Sequence, residues 1–348
     1  MGVSCIIDLE KTSEGIYRPG SKVNGVIKYV IDEDTVFQNI VLSFKGKGKV
    51  NWSVPGDDSK IYYSNFEEYF TDIKSLLETG IYQGTFVKRG LYTETFNYIL
   101  PMDIPSSYND SNCTIVYYVG VKFTKAGVFN SNKKFKAILK VKTRVNPVST
   151  SLSTSSCKVL TNLFNNNVEK IIISAVASTN FLEPGEEVQV KFEVQNDTGL
   201  DIKKISVYII ECLLFVSKRG MTHSKNRKIN GCKKSIDVIP RRNFNEFTIS
   251  VPSAVNSFSI QNSKIFRRDY KVLVLVKLPL PHRNASAEIP LVIGEVACTS
   301  DNSHVSPQSD TPCRTADGDP CYTKGKCCQS PWDYLRLDAT SLDDIFYL

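Results

Sequence analysis

A recurring heptapeptide constrains this chain more than any other feature. Tyr17-Arg18-Pro19-Gly20-Ser21-Lys22-Val23 returns as Leu182-Glu183-Pro184-Gly185-Glu186-Glu187-Val188, 165 residues later. The same spacing pairs Phe37, Ile40, Leu42 and Phe44 with Ile202, Ile205, Val207 and Ile209. A Pro-Gly turn before a strand is common, but a register held across two successive apolar segments describes a duplicated module. Further on, Leu100-Pro101 is matched by Val251-Pro252, and Tyr117-Tyr118-Val119 by the neighbourhood of Asp269-Tyr270-Lys271, at spacings of 151 to 152. A length of 348 residues suits two such domains.

Each copy reads as β-structure. Segments 23–30, 40–44, 114–123, 136–145, 170–176, 188–194, 205–215 and 270–278 are rich in β-branched and aromatic residues with partial alternation. Turn signals separate them: Arg18-Pro19-Gly20-Ser21, Val54-Pro55-Gly56-Asp57, Glu183-Pro184-Gly185-Glu186 and Asn196-Asp197-Thr198-Gly199. Only Phe66 to Leu77 offers a helical alternative, and its Tyr, Phe and Thr content leaves a strand equally open. The expected fold is therefore all-β, two tandem immunoglobulin-like β-sandwich domains. The Ser/Thr-rich stretch Asn146 to Ser156 falls between the copies. The expected organisation is a first sandwich at 1–150, a linker at 151–168, a second sandwich at 169–297 and a flexible tail at 298–348 rich in Ser, Asp, Pro, Gly and Cys.

Composition narrows the function classes. The apolar runs Ile205 to Val216 and Val272 to Leu280 fall short of a bilayer span. The N-terminal stretch lacks the charged-then-apolar pattern of a secretory signal, so the ten cysteines are expected as reduced thiols in the cytoplasm. The five Asn-x-Ser/Thr sequons then carry no weight. The three histidines, His223, His282 and His304, are expected at the surface. No phosphate-binding glycine loop, nucleophile elbow, His-Glu metal helix or paired-carboxylate motif is present, so no catalytic, cofactor-binding or metal-binding residue is assigned and an enzyme is not expected. The net charge of +7 is uneven: 19 basic and 15 acidic residues in 1–150, 20 and 13 in 151–297, and 4 and 8 in 298–348. That balance suits an anionic membrane surface or an acidic partner and is too weak for nucleic acid.

These blocks resemble the arrestin superfamily, specifically the alpha-arrestins (arrestin domain-containing proteins). The resemblance rests on Tyr17-Arg18-Pro19-Gly20-Ser21-Lys22-Val23-Asn24-Gly25-Val26, then Leu42-Ser43-Phe44-Lys45-Gly46 with Val50-Asn51-Trp52. It continues through Leu100-Pro101-Met102-Asp103-Ile104-Pro105-Ser106-Ser107-Tyr108 and Ile115-Val116-Tyr117-Tyr118-Val119. In the second copy it rests on Leu182-Glu183-Pro184-Gly185-Glu186 and Glu288-Ile289-Pro290-Leu291-Val292-Ile293-Gly294, so it spans about residues 3 to 297. It implies two seven-stranded sandwiches and a cytoplasmic, non-catalytic adaptor peripheral to the plasma membrane or endosomes. Such adaptors bring membrane cargo to HECT-type ubiquitin ligases through tail Pro-Pro-x-Tyr motifs. None of the 15 prolines here is followed by another, and Asp319-Pro320-Cys321-Tyr322 keeps only the second Pro and the Tyr, Pro320 and Tyr322. A WW groove reads a preformed polyproline II segment, so the missing proline removes a stacking contact and preorganisation.

Other motifs leave alternatives open. Lys218, Arg219, Lys225, Arg227, Lys228, Lys233 and Lys234 place seven cations in 17 residues. They read either as an anionic-headgroup contact or as a solvated hairpin loop. Asn51 to Asn65 reads as a long loop on the cargo-facing side or as a plain hairpin. Tail cysteines Cys313, Cys321, Cys327 and Cys328 have spacings unlike a zinc site. Acylation of Cys327 and Cys328 beside Lys324 and Lys326 fits better, next to plain unmodified thiols. Tyr334-Leu335-Arg336-Leu337, with Tyr334 and Leu337, fits a sorting pattern, and Asp344-Ile345-Phe346, with Asp344 and Phe346, a clathrin-adaptor ligand; a segment folded back onto a sandwich is the alternative. A retromer-like scaffold without ligase recruitment, or a redox- or zinc-responsive tail regulator, are the competing functions.

Overall fold

Alternating β-branched and aromatic residues fill two cores from strands alone, because period-two side chains give each strand one apolar face. The computed structural model describes residues 2–12, 14–57, 59–77, 84–127, 132–147, 150–161, 168–202, 204–237 and 246–296. The first module contains β1 (Val3–Leu9), β2 (Lys22–Ile31), β3 (Thr35–Pro55), β4 (Lys60–Ser75), β5 (Thr85–Val87), β6 (Gly90–Ile99), β7 (Tyr108–Asn109), β8 (Cys113–Lys125) and β9 (Asn132–Leu139). The second contains β10 (Ser153–Thr161), β11 (Val168–Ala177), β12 (Phe181–Leu182), β13 (Glu187–Asn196), β14 (Lys204–Val216), β15 (Thr222–Asp237), β16 (Phe247–Pro252), β17 (Phe266–Lys277) and β18 (Ala285–Ile293). In the first, a β1-β2-β6 sheet faces a sheet running β4-β3-β8, with β9 and β7 also on β8. In the second, β10-β11-β13-β16 faces β12-β18-β17-β14-β15.

The duplication holds at the level of register. Val23 pairs with Tyr98 and Val188 with Val251; Phe44 pairs with Val119 and Ile209 with Val272. The spacing is thus 165 in β2 and β3 but 153 in β6 and β8, which corrects the 151 to 152 read from the Leu-Pro and Val-Pro matches. The two Pro-Gly turns are alike. Gly20 and Gly185 have φ of 76° and 97°, and Ser21 and Glu186 donate N–H to Arg18 and Glu183 carbonyls at 3.0 and 3.1 Å. Proline presets the first central position and only glycine takes the second without strain. Under the 153 spacing Tyr117 matches Tyr270, and both rings are fully buried. The Tyr117 hydroxyl donates to the Pro105 carbonyl at 2.7 Å, and the Tyr270 hydroxyl accepts the Phe258 N–H at 3.1 Å.

Several segments differ from expectation. Phe66 to Leu77 is not helical: β4 runs through it to Ser75. Of the two readings of Asn51 to Asn65, the hairpin holds: residues 51–55 and 60–65 pair at the end of the long β3–β4 hairpin. The strand expected at 136–145 stops at Leu139. Within the expected linker, Ser153–Thr161 forms β10 and pairs with β11 along its whole length. Its Ser and Thr hydroxyls suit an edge strand facing water. Gly46, which closes the matching block Leu42 to Gly46, and Gly48 both lie inside β3. A Cβ on Gly46 would sit 2.6 Å from the Phe70 and Tyr117 rings, and one on Gly48 2.5 Å from the Tyr69 hydroxyl, so these glycines make room for aromatics.

The first core does not stop at the module boundary. Leu213, Phe215, Ile260, Ile265 and Phe266 of the second module are buried in the same apolar cluster as Phe44, Trp52 and Tyr117. Residues Met1–Cys298 accordingly form one compact unit. Replacing Tyr117 by Phe leaves the Pro105 carbonyl buried without its donor and should cost about 1–3 kcal/mol in urea unfolding. A loss below about 0.5 kcal/mol would show that this bond does not hold the 105–117 corner.

Candidate functional site

The residues that join the modules come from equivalent places in each copy. Asp110, in the loop before β8, accepts from Arg227 of β15 at 2.7 Å, and Arg227 also lies 3.6 Å from Glu211 of β14. Glu211 is 6% exposed and takes Arg268 Nε at 2.6 Å. The Arg268 guanidinium packs over the rings of Phe258, Tyr108 and Tyr270 at 4.6, 5.4 and 5.6 Å. Burial opposes the Asp110 charge, but the Asn112 and Cys113 N–H groups and Arg227 outweigh it and hold the carboxyl below its ordinary value. Ser263 is the 153-residue counterpart of Asp110. It accepts the Tyr69 hydroxyl at 3.1 Å and donates to Glu67 at 2.8 Å, both on β4. Each module's loop therefore grips the outer arm of the other's long hairpin.

Aromatic rings fill the space between these polar ties. Tyr108 stacks on Phe266 with centroids 4.7 Å apart, and His223 lies against Trp52 and Phe215 at 5.8 and 5.9 Å. His223 is thus not a free surface residue as expected. Burial, then Lys225, pushes its pKa below the ordinary value, keeping the ring neutral. A further tie sits at the chain's return: Glu295 takes Arg18 at 2.8 Å and Lys142, and Val145 bridges Val296 in parallel.

The basic run 218–234 spans the β14–β15 turn and most of β15 rather than a hairpin loop, and its cations separate. Arg227 is committed to the junction. Lys228 and Lys233 lie over the Tyr208 ring at 5.1 and 5.2 Å. Lys218 and Arg219 belong to the β14–β15 turn, where the Lys218 N–H donates to the Ser64 carbonyl. Lys225 and Lys234 are exposed along β15. Around Tyr208, Ile210, Leu273 and Leu275 form a small apolar cluster on the outer face of this sheet.

A second lysine field escaped sequence reasoning. Lys45, Lys47 and Lys49 of β3, Lys122 of β8 and Lys134 and Lys136 of β9 lie on the outer face of the first module's larger sheet. Lys136 and Lys47 lie 4.6 and 5.8 Å from the Tyr118 ring centroid. Among the described residues none of these six ammonium groups forms an ion pair. The alternating Lys-Gly-Lys-Gly-Lys of β3 was the available signal; the other three lysines join it only through sheet pairing.

Pro320, Tyr322, Tyr334, Leu337, Asp344, Phe346, Cys327 and Cys328, with Cys313 and Cys321, lie outside the described residues. The described cysteines Cys5, Cys113, Cys157, Cys212 and Cys232 are free thiols, and burial pushes Cys5 up to about 11 and Cys212 to about 12. No group of three or more His, Cys, Asp or Glu side chains placed to hold a metal occurs among the described residues. No described helix is long and apolar enough to cross a membrane.

Two family models match this chain. That for the arrestin (or S-antigen) N-terminal domain matches residues 5–145, and that for the arrestin (or S-antigen) C-terminal domain matches residues 167–298. Human arrestin domain-containing protein 5 is 22% identical over 324 residues, covering 86% of this chain and 90% of its own length.

Two outcomes test the junction. Arg227→Ala should destabilise by about 1–3 kcal/mol, because Asp110 and Glu211 lose a charged partner, whereas Lys234→Ala should stay within about 0.5 kcal/mol. For His223, the folded-state pKa lies below the unfolded one, so the folded state resists protonation. Stability should therefore fall as pH drops below the ordinary histidine value of about 6.5. His223→Phe should remove that part of the melting-temperature profile.

Proposed function

Because the chain belongs to the arrestin family, on its alpha-arrestin branch, we propose that it is a cytoplasmic adaptor that brings membrane proteins into endocytic or endosomal transport. The observation that carries this reading is how the fold divides its polar groups. Each module turns a loop and a hairpin arm toward the other, leaving two outer sheet faces, each with a tyrosine beneath two lysines, for partners. Such faces suit cytoplasmic regions of membrane proteins and the anionic leaflet beside them. Lys218, Arg219, Lys225, Lys228, Lys233 and Lys234 would contribute roughly 1 kcal/mol each near that leaflet. Arg227, held by Asp110, would not take part.

The tail would supply the downstream contacts. Pro320 and Tyr322 are the residues for a WW-domain ubiquitin ligase, Tyr334 with Leu337 and Asp344 with Phe346 for clathrin adaptors, and Cys327 with Cys328 for acylation. The lack of any Pro-Pro pair favours one second reading, a trafficking scaffold of retromer type that recruits no ligase.

Proximity labelling in cells should compare the full chain with a 1–298 truncation. Both forms are expected to label membrane cargo and endosomal proteins, and only the full chain to label ligases or clathrin adaptors. Cargo labelling without ligases from either form would favour the scaffold. If neither form labelled membrane or coat proteins, the adaptor reading would fail.

A further inference from the structure

We propose that the outer face of the first module's larger sheet is a receptor for an extended peptide whose carboxylates recur at every second residue. This deepens the adaptor reading and rests on it for the peptide's source, a cytoplasmic segment of cargo. The spacing comes from β3. Lys45, Lys47 and Lys49 alternate with Phe44, Gly46, Gly48 and Val50, all buried, so the three lysines stand in one outward row. Alternate residues of a strand are about 6.6–6.8 Å apart, which is also the spacing of alternate side chains in any extended peptide laid beside it.

Pairing across the sheet supplies a second set of lysines, displaced along β8 from the first. β8 lies between β3 and β9: Lys45 pairs with Tyr118, which pairs with Ile138, while Gly120 pairs with Lys136 and Lys122 with Lys134. The lysines of β3 and β9 are therefore two strand spacings apart, about 9.6 Å, with β8 between them. They are also staggered along it: Lys45, Lys47 and Lys49 stand level with Tyr118, Val116 and Thr114, Lys136 and Lys134 with Gly120 and Lys122. Where the two sets meet, β8 is low: Tyr118 is only 9% exposed and Gly120 has no side chain, while exposed Lys122 rises beyond them as a further cation. Lys47 from one side and Lys136 from the other lean in over the Tyr118 ring. An extended chain laid along β8 would run past Lys49, Lys47 and Lys45 on one flank and then past Lys136 and Lys134 on the other.

Charge argues for a carboxylate-rich occupant. Opposite the β3 row, β4 contributes Phe66, Glu68, Thr71 and Ile73, so Glu68 beside Lys47 is the one carboxylate paired with that row. The lysines lack ion pairs among the described residues, so little must be broken before they engage a ligand. A flat bilayer would meet the lysine tips and leave the recessed Tyr118 ring unused. The second copy lacks this device. Under the 165 spacing, Lys45, Lys47 and Lys49 correspond to Ile210, Cys212 and Leu214, an apolar face.

The test uses the full chain and two synthetic fluorescent peptides of identical composition. One alternates Glu with Thr; the other gathers its Glu residues in one block. The alternating peptide should bind more tightly, and binding should weaken with added salt. Lys47→Glu with Lys136→Glu should reduce its affinity at least about tenfold, while Lys88→Glu with Lys277→Glu should leave it unchanged. Lys47→Gln with Lys136→Gln, checked for an unaltered melting temperature, should give a smaller loss in the same direction. Equal binding of the two isomers, no binding, or equal losses from both charge reversals would overturn the proposal. So would a double variant that loses phosphatidylserine vesicles yet keeps the peptide, which would make this face a membrane contact. The peptide assay needs no cargo, so its failure leaves the adaptor reading standing, and failed labelling in cells leaves the receptor standing.

Discussion

Arg227 sits between two carboxylates that belong to different modules, and the arrangement of the molecule follows from that position. Asp110 is fixed by its own loop, where it also caps the Asn112 and Cys113 N–H groups. Glu211 is fixed on β14 and balanced by Arg268, itself packed among three rings. A guanidinium bridging such groups joins loop, hairpin and sheet at once, and partial burial strengthens each contact relative to water. The aromatic stack of Tyr108 on Phe266 and the wedge of His223 against Trp52 then exclude solvent around the bridge. The reciprocal tie, Ser263 to Tyr69 and Glu67, shows duplicated parts used twice with different chemistry, charged on one side and largely hydroxylic on the other.

That clasp explains which surfaces remain for partners. The β3–β4 and β14–β15 hairpins extend beyond their own sandwiches because their far ends meet the other module. Among the described residues, the outer sheet faces and the free edges stay open. Both faces carry lysines over a tyrosine, yet they differ in floor: charged rows flank β8 in the first module, while Ile210, Leu273 and Leu275 line the second. A duplicated scaffold thus offers two chemically distinct surfaces, as an adaptor with separate contacts requires.

Much of the fold was legible because duplication leaves a register. The Pro-Gly turns and the apolar alternation of β2, β3, β13 and β14 located both modules, and the matching family pattern located the rest. What escaped had physical reasons. Gly46 and Gly48 carry no signal of their own in the sequence but clear space for Tyr117, Phe70 and Tyr69, a contact seen only in three dimensions. The Ser/Thr content of β10 resembles a linker because an edge strand can be polar. The junction was invisible because Asp110 and Arg227 are 117 residues apart with no local pattern around either. The lysine field was hidden for a similar reason, being assembled from three strands, whereas the linear run at 218–234 drew attention although one of its members is committed to the junction.

The central claim is that the two sandwiches behave as one body held by a shared core and clasp. Differential scanning calorimetry of the full chain tests it most directly. The account predicts a single cooperative endotherm whose calorimetric and van't Hoff enthalpies agree. Two resolved endotherms, each with the enthalpy of one sandwich, would contradict it and would leave the Asp110, Arg227 and Glu211 bridge a surface contact between independent domains.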